Sequence, residues 1–321
     1  MNTIPTTLND RPVPYTVVGS PPAKAGAEGL AVSVILLGRG SRLYRNDALC
    51  DLERFGFESI VSIEDGSDAV DIESLAQRHP STRFILLGSP LSPGEKINVG
   101  MRESMAPYVF VIWSDMRLQT AGLSSRFFER IGEQSLLCLA PWLQAGKGEP
   151  LPCSISPALH RSSLKLLPLP PARDGARTLY PMDYSGIYSR ERFILTSGFD
   201  GTIRNPYWQK LDFGFRAWLW GEEIRLSQSL RVGYEEAPQE EDSTPDADYK
   251  WFWLKNLAPS YRSDHVVIPP ERFWSYLRRR GGSPVAALQE FRSAVEWVRL
   301  NRFRFRSDAS SLVDLWDEGE S

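Results

Sequence analysis

Cysteine and histidine are scarce in this chain of 321 residues, with three of each. Cys50, Cys138 and Cys153 are odd in number, far apart and in no Cys-x-x-Cys spacing, which argues against both a disulfide framework and a zinc site. His79, His160 and His265 likewise fall in no metal-ligand spacing. No apolar run approaches the ~20 residues of a membrane span. Positive charge is not in excess either: 37 Lys and Arg stand against 40 Asp and Glu, a formal net charge of −3, so no global field draws the chain to nucleic acid. The N-terminus, with Asp10, Arg11 and several prolines, lacks the charged-then-apolar order of a signal peptide. These absences point to a cytoplasmic globular protein, with peripheral membrane contact still open.

A hydrophobic content of 42% is enough for a sizeable core. Residues 1–30, with Pro5, Pro12, Pro14, Pro21 and Pro22, read as an extended leader. From Ala31 to Leu37 an apolar, β-branched run reads as a strand buried on both faces, followed by a helix over Arg42 to Phe55. The alternation continues through strands at Ser59 to Ile63, Arg83 to Leu87 and Tyr108 to Trp113, with helices from about Asp71 and from Lys96 to Met105 between them. Strands joined by helical crossovers predict an α/β fold with a mostly parallel central sheet, flanked by helices and carrying its ligand at the strands' carboxyl ends.

Leu136 to Pro181 reads as proline-rich and irregular, and Glu235 to Asp248 as an acidic, turn-rich loop. Helical patterns recur from Tyr207 to Trp220, from Pro270 to Arg279 and from Pro284 to Leu300, the last with Ala287, Phe291, Val295 and Val298 on one face. The expected organisation is a leader (1–30), a ligand- and acceptor-binding domain (31–240) and an acidic loop with a helical C-terminal segment (241–321). In that segment Arg278, Arg279 and Arg280, and Arg302, Arg304 and Arg306 around Phe303 and Phe305, suit either a solvated face or contact with anionic lipid.

Two acidic residues fall at strand carboxyl ends, Asp65 after the second predicted strand and Asp115 after the fourth. A carboxylate there can hold a divalent cation against a diphosphate, or accept a hydrogen bond from a nucleobase or ribose. Trp208, beside Tyr207, offers a ring on which a sugar can stack.

The order of motifs resembles the family 2 glycosyltransferases of the GT-A fold. Val32-Ser33-Val34-Ile35 looks like their opening strand, and Glu64-Asp65-Gly66-Ser67-Asp68 is similar to their Asp-Asp-Gly-Ser segment. Gly94-Glu95-Lys96-Ile97-Asn98-Val99-Gly100 resembles the glycine, asparagine, glycine pattern that precedes their metal strand. Trp113-Ser114-Asp115 stands where they carry Asp-x-Asp, with only the last aspartate kept. Gly198-Phe199-Asp200 is similar to their acceptor-side Gly-Phe-Asp, and Leu211-Asp212-Phe213-Gly214-Phe215-Arg216 to their Asp-Leu-x-x-Arg helix.

The resemblance implies a nucleotide-sugar donor held by Ser33, Asp65, Ser67, Asn98, Gly100 and Asp115. It also implies Mn²⁺ or Mg²⁺ on Asp115, with His265 as a late ligand, and a glycan or lipid-linked acceptor near Gly198, Phe199 and Trp208, in polysaccharide or glycolipid synthesis. One departure is plain: where the family carries its base carboxylate, this chain has Gln209 and Lys210. Asp212 and Asp200 are the substitutes expected to take the acceptor proton, with Glu222 and Glu223 next, although Asp212 also suits a simple i,i+4 pair with Arg216. Two other functions stay open. Gly38-Arg39-Gly40-Ser41-Arg42-Leu43 resembles the phosphate loop of sugar nucleotidyltransferases, and the missing base suits a non-catalytic nucleotide-sugar-binding protein.

Overall fold

The computed structural model describes residues 13–19, 30–39, 42–66, 71–119, 123, 125–146, 148–160, 163–236, 238 and 240–316. Strands β1 (Tyr15–Val18), β2 (Leu30–Leu37), β3 (Phe57–Asp65), β4 (Thr82–Leu87) and β5 (Tyr108–Trp113) come first, with helices α1 (Arg42–Glu53), α2 (Ile72–Arg78) and α3 (Pro93–Glu103) between the later four. Next are β6 (Met116–Leu118), α4 (Ser125–Gln134), β7 (Cys138–Gln144), a hairpin of β8 (Ser154–His160) and β9 (Ser163–Leu169), and β10 (Gly186–Ser189). Helices α5 (Arg190–Leu195) and α6 (Pro206–Leu219) lead to β11 (Ile224–Tyr234). The C-terminal part holds α7 (Ala247–Phe252), a hairpin of β12 (Ser260–Arg262) and β13 (His265–Val267), and helices α8 (Arg272–Arg280), α9 (Pro284–Asn301) and α10 (Ala309–Asp314).

Among the described residues nine strands form one mixed sheet in the order β1-β4-β3-β2-β5-β10-β7-β11-β6. Only β1, β10 and β6 oppose the direction of the rest, so the sheet is mostly parallel and is flanked by helices as expected. Its centre is dry: Val34 to Leu37 on β2 and Val109 to Val111 on β5 have no exposed surface. Helix α3 starts earlier than its apolar pattern suggests, because Ser92 and Glu95 form a capping box and Pro93 fits the first turn. It lies close over β2: a Cβ on Gly100 would come within 2.6 Å of Ile35 Cδ1.

Three segments differ from the sequence reading. Within the proline-rich leader, Tyr15–Val18 forms an antiparallel edge strand on β4, anchored by the Tyr15 hydroxyl donating to Glu103 at 2.7 Å. The segment read as irregular contains β7, an interior strand, and the β8–β9 hairpin. Pro141 is tolerated in β7 because the pairing with β10 covers only Cys138 and Leu139, and Pro141 faces Ser227 where β11 bulges. Strand β11 is hidden by its polar residues, which alternate only imperfectly with buried Ile224, Leu226, Leu230 and Val232.

The C-terminal segment packs back on α6. Trp208 lies against Tyr249 and Phe252, and Trp218 against Trp316. On α9 the buried face is Ala287, Phe291, Ala294 and Val298, with Val295 left 36% exposed. Several of the C-terminal arginines have partners within the chain: Arg280 pairs with Glu290, and Arg279 and Arg304 stack on Trp253 and Trp220. No helix among the described residues is long and apolar enough to cross a membrane.

Candidate functional site

A crevice of about 310 Å³ opens beyond the carboxyl ends of β2 and β5, where ligands of parallel α/β sheets bind. Arg39, two residues past β2, is its focal group. The guanidinium grips Asp115 side-on, Nε to Oδ2 at 2.7 Å and Nη2 to Oδ1 at 2.9 Å, and donates through Nη1 to Asp183 Oδ2 at 2.6 Å. It stacks on Trp113, 4.4 Å from the ring centroid. The Ser114 hydroxyl accepts from the Arg39 amide at 2.9 Å and donates to the Arg39 carbonyl at 2.6 Å. Every residue of Trp113-Ser114-Asp115 therefore serves Arg39. Burial pulls the Arg39 pKa down, but the bonds and charges of Asp115 and Asp183 more than reverse this, so the group is a permanent cation.

Asp183 is held with equal care. It and Tyr184 have φ of 52° and 62°, a left-handed pair that costs a tyrosine free energy and persists only where the surroundings impose it. Trp113 Nε1 donates to the Asp183 carbonyl at 2.8 Å, and Tyr188 donates to the Tyr184 carbonyl at 2.7 Å. The Tyr234 hydroxyl donates to Asp183 Oδ2 at 3.0 Å; burial, then the charge of Asp183, push the Tyr234 pKa up and keep that proton in place.

A second cluster lines the same crevice. Lys210 Nζ donates to Glu241 Oε1 and lies 5.1 Å from the centroid of the Tyr184 ring. Glu240, Glu241 and Asp242 bring the acidic segment over the crevice, so the carboxylate beside the position of the expected base comes from that loop and not from α6.

Among the described residues, those expected at the site line the crevice only through Asp115, which reaches it by way of Arg39. Asp65 ends β3, with its carboxylate 42% exposed and bonded to Lys96 at 2.8 Å. Ser67 lies outside the described residues. Ser33 is sealed in the sheet against Ser59. Asn98 spends its amide on both backbone groups of Phe199, bracing α3 against that segment, while Gly100 is required by packing on Ile35.

On the acceptor side, Phe199 belongs to an aromatic core with Tyr184, Phe193 and Phe213, and the Gly198 carbonyl accepts from Arg216. Trp208 is buried and donates to the Thr244 carbonyl at 3.0 Å, so the ring at the crevice is the half-buried Tyr207 instead. Asp212 has no exposed surface and is saturated by Arg216, Lys255 and Asn256; an acceptor hydroxyl cannot reach it. Asp200 pairs with Lys255 at 2.7 Å and accepts from Thr202. Burial pushes its carboxyl up, but Lys255 and Thr202 overcome this and hold it well below the usual range. Glu222 and Glu223 pair with Arg192 and Arg225 outside the crevice. His265 sits in the β12–β13 hairpin, bonded to Asp264 at 2.7 Å and packed against Phe303.

The expected divalent cation does not fit this arrangement. Both oxygens of Asp115 are taken by Arg39, His265 is not brought to it, and among the described residues no group of three His, Cys, Asp or Glu could hold a metal. Nothing in the sequence assigned a role to Asp183, Tyr234 or Glu241, and Arg39 entered only within the Gly38 to Leu43 segment that resembles a phosphate loop. Only Arg39 left a signal: a cation immediately after Gly38 at the end of the opening strand, in a chain whose Asp-x-Asp segment lacks its first aspartate.

The mostly parallel sheet with flanking helices matches the GT-A fold, which the chain shares with a solved glycosyltransferase structure. No protein-family model and no curated protein matches the chain. Its similarity to solved structures is one of fold. GalNAc-T7 with UDP, GalNAc and Mn²⁺ aligns at 12% identity and a TM-score of 0.55, over 86% of this chain and 58% of that one, so the chain spans little more than half of that structure. S. aureus TarS in complex with UDP-GlcNAc aligns at 14% identity and a TM-score of 0.47, over 84% of this chain and 74% of that one.

Proposed function

We propose that the crevice binds a nucleoside-diphosphate-sugar and that the chain transfers the sugar to a hydroxyl of a glycan or lipid-linked acceptor. It would act as an enzyme of family 2 type in polysaccharide or glycolipid synthesis. The observation that carries this reading is the cluster of Arg39, Asp115 and Asp183 at the strand ends of a GT-A sheet, with a cavity of about 310 Å³ beside it. UDP, bound in the GalNAc-T7 structure, makes UDP-sugars the first donors to test.

Transfer joins the acceptor oxygen to the sugar's anomeric carbon as the bond from that carbon to the diphosphate breaks, and the acceptor proton must go to a base within hydrogen-bond reach. Glu241 is the carboxylate in position, 32% exposed and ion-paired to Lys210. In this reading the loop supplies the base that α6 lacks, and Lys210 holds it in place. Tyr207 offers its ring to a sugar at the crevice wall.

A second reading, a donor-binding protein without turnover, is favoured by Lys210 itself, a cation at the family's base position. Incubation of the protein with UDP-, GDP-, CDP- and dTDP-sugars together with a panel of glycan and lipid-linked acceptors, following release of the nucleoside diphosphate, separates the two. Release from one nucleotide class, lost in Glu241→Gln, supports the transferase; binding without release supports the second reading; neither binding nor release removes both.

A further inference from the structure

We propose that the Arg39 guanidinium takes the place of a divalent cation at the donor site, so that a nucleoside diphosphate binds to this chain without metal. The inference rests on the donor-site reading above and specifies what holds the diphosphate there.

A metal at this position would need Asp115 as a ligand. Instead Arg39 bonds both Asp115 oxygens and bridges to Asp183, spreading one positive charge over two carboxylates. The arrangement is built in. The side chain of Arg39 is 16% exposed, its flat face rests on Trp113, and its backbone is clamped in both directions by Ser114. Trp113, standing where the resembled Asp-x-Asp segment has its first aspartate, provides a surface on which the guanidinium stacks.

A guanidinium has five N–H donors, more than the three bonds made to Asp115 and Asp183, and its planar fork matches phosphate oxygens. The group lines the crevice, so a diphosphate entering it meets a cation already oriented. Among the described residues the crevice's other cation is Lys210, which is paired with Glu241.

The test is calorimetric titration of the full chain with UDP, GDP, CDP and dTDP in EDTA and again in Mn²⁺, for the wild type, Arg39→Ala and Arg39→Lys. The wild type should bind one nucleotide with the same affinity in both buffers, to within about twofold. Arg39→Ala should bind it about tenfold or more weakly in EDTA, the loss expected for a charge-assisted bond. Arg39→Lys, which keeps the charge and loses the fork, should fall between. Arg39→Ala should also regain affinity with Mn²⁺, because Asp115 and Asp183 are then free to hold a cation. Wild-type binding that requires Mn²⁺ would overturn the proposal while sparing the donor site; no binding in either buffer would overturn both. The wild-type comparison stands even if a variant fails to fold.

Discussion

Lys210 reaches Glu241 across the crevice, its ammonium almost wholly buried at 3% side-chain exposure and lying over the Tyr184 ring. The pair brings together a residue of α6 and one of the acidic loop, and it makes the loop part of the site. Replacing Glu241 with Gln should therefore lower turnover by about 10²–10⁴-fold, the worth of a general base, while leaving nucleotide affinity unchanged. Initial rates of nucleoside diphosphate release and a parallel binding titration measure the two. A loss of affinity equal to the loss of rate would make Glu241 a donor contact instead.

Asp212 is a structural charge. Its carboxylate is fully buried and shared between Arg216 and Lys255, so Asp212→Ala leaves Arg216 without its carboxylate and Lys255 with Asp200 alone, and should destabilise the fold by about 3–5 kcal/mol. Urea unfolding measures this. A variant of wild-type stability that has lost only turnover would restore Asp212 to a catalytic role.

Asp200 gives a pH-dependent counterpart. Its folded pKa lies below its unfolded value of about 3.9, so the stability it contributes is fully present above that pH and is lost as the pH falls through the folded pKa. The urea midpoint of the wild type should drop steeply below about pH 4, and that of Asp200→Asn should drop less over the same window. Parallel curves for the two proteins would show that the Lys255 pair contributes nothing.

Gly100 makes a purely steric prediction. The added methyl of Gly100→Ala would lie 2.6 Å from Ile35 Cδ1, and the overpacking should cost about 1–3 kcal/mol. Ile35→Val removes that atom, so the double variant should recover part of the loss. Additive losses in a denaturation cycle would place the clash elsewhere.

Much of the fold was legible in the sequence because β2 to β5 are continuous apolar runs joined by helices, a pattern with few other solutions. Strand β5 has the boundaries its residues predict, Tyr108 to Trp113. Strands β7 and β11 were not legible: one carries a proline at a position excused by a bulge, the other an irregular polar alternation, and both depend on partners far away in the chain. The site was legible only at Asp115. Sequence order locates the ends of strands, but it does not say which side chain crosses from one end to the next. Arg39 reaches Asp115 over 76 residues, and Asp183 over 144. The motifs at Asn98, Gly100 and Gly198 to Asp200 resembled ligand contacts because they sit where the helix and the acceptor-side segment brace one another.

Seating of a nucleoside diphosphate in this crevice on Arg39 is tested most directly by a crystal structure of the chain with the nucleotide that binds best in calorimetry. The expected result is a phosphate oxygen within hydrogen-bond distance of the Arg39 guanidinium, with Asp115 still holding that guanidinium from behind. A nucleotide bound elsewhere, or a metal ion on Asp115 with Arg39 swung away, would contradict it.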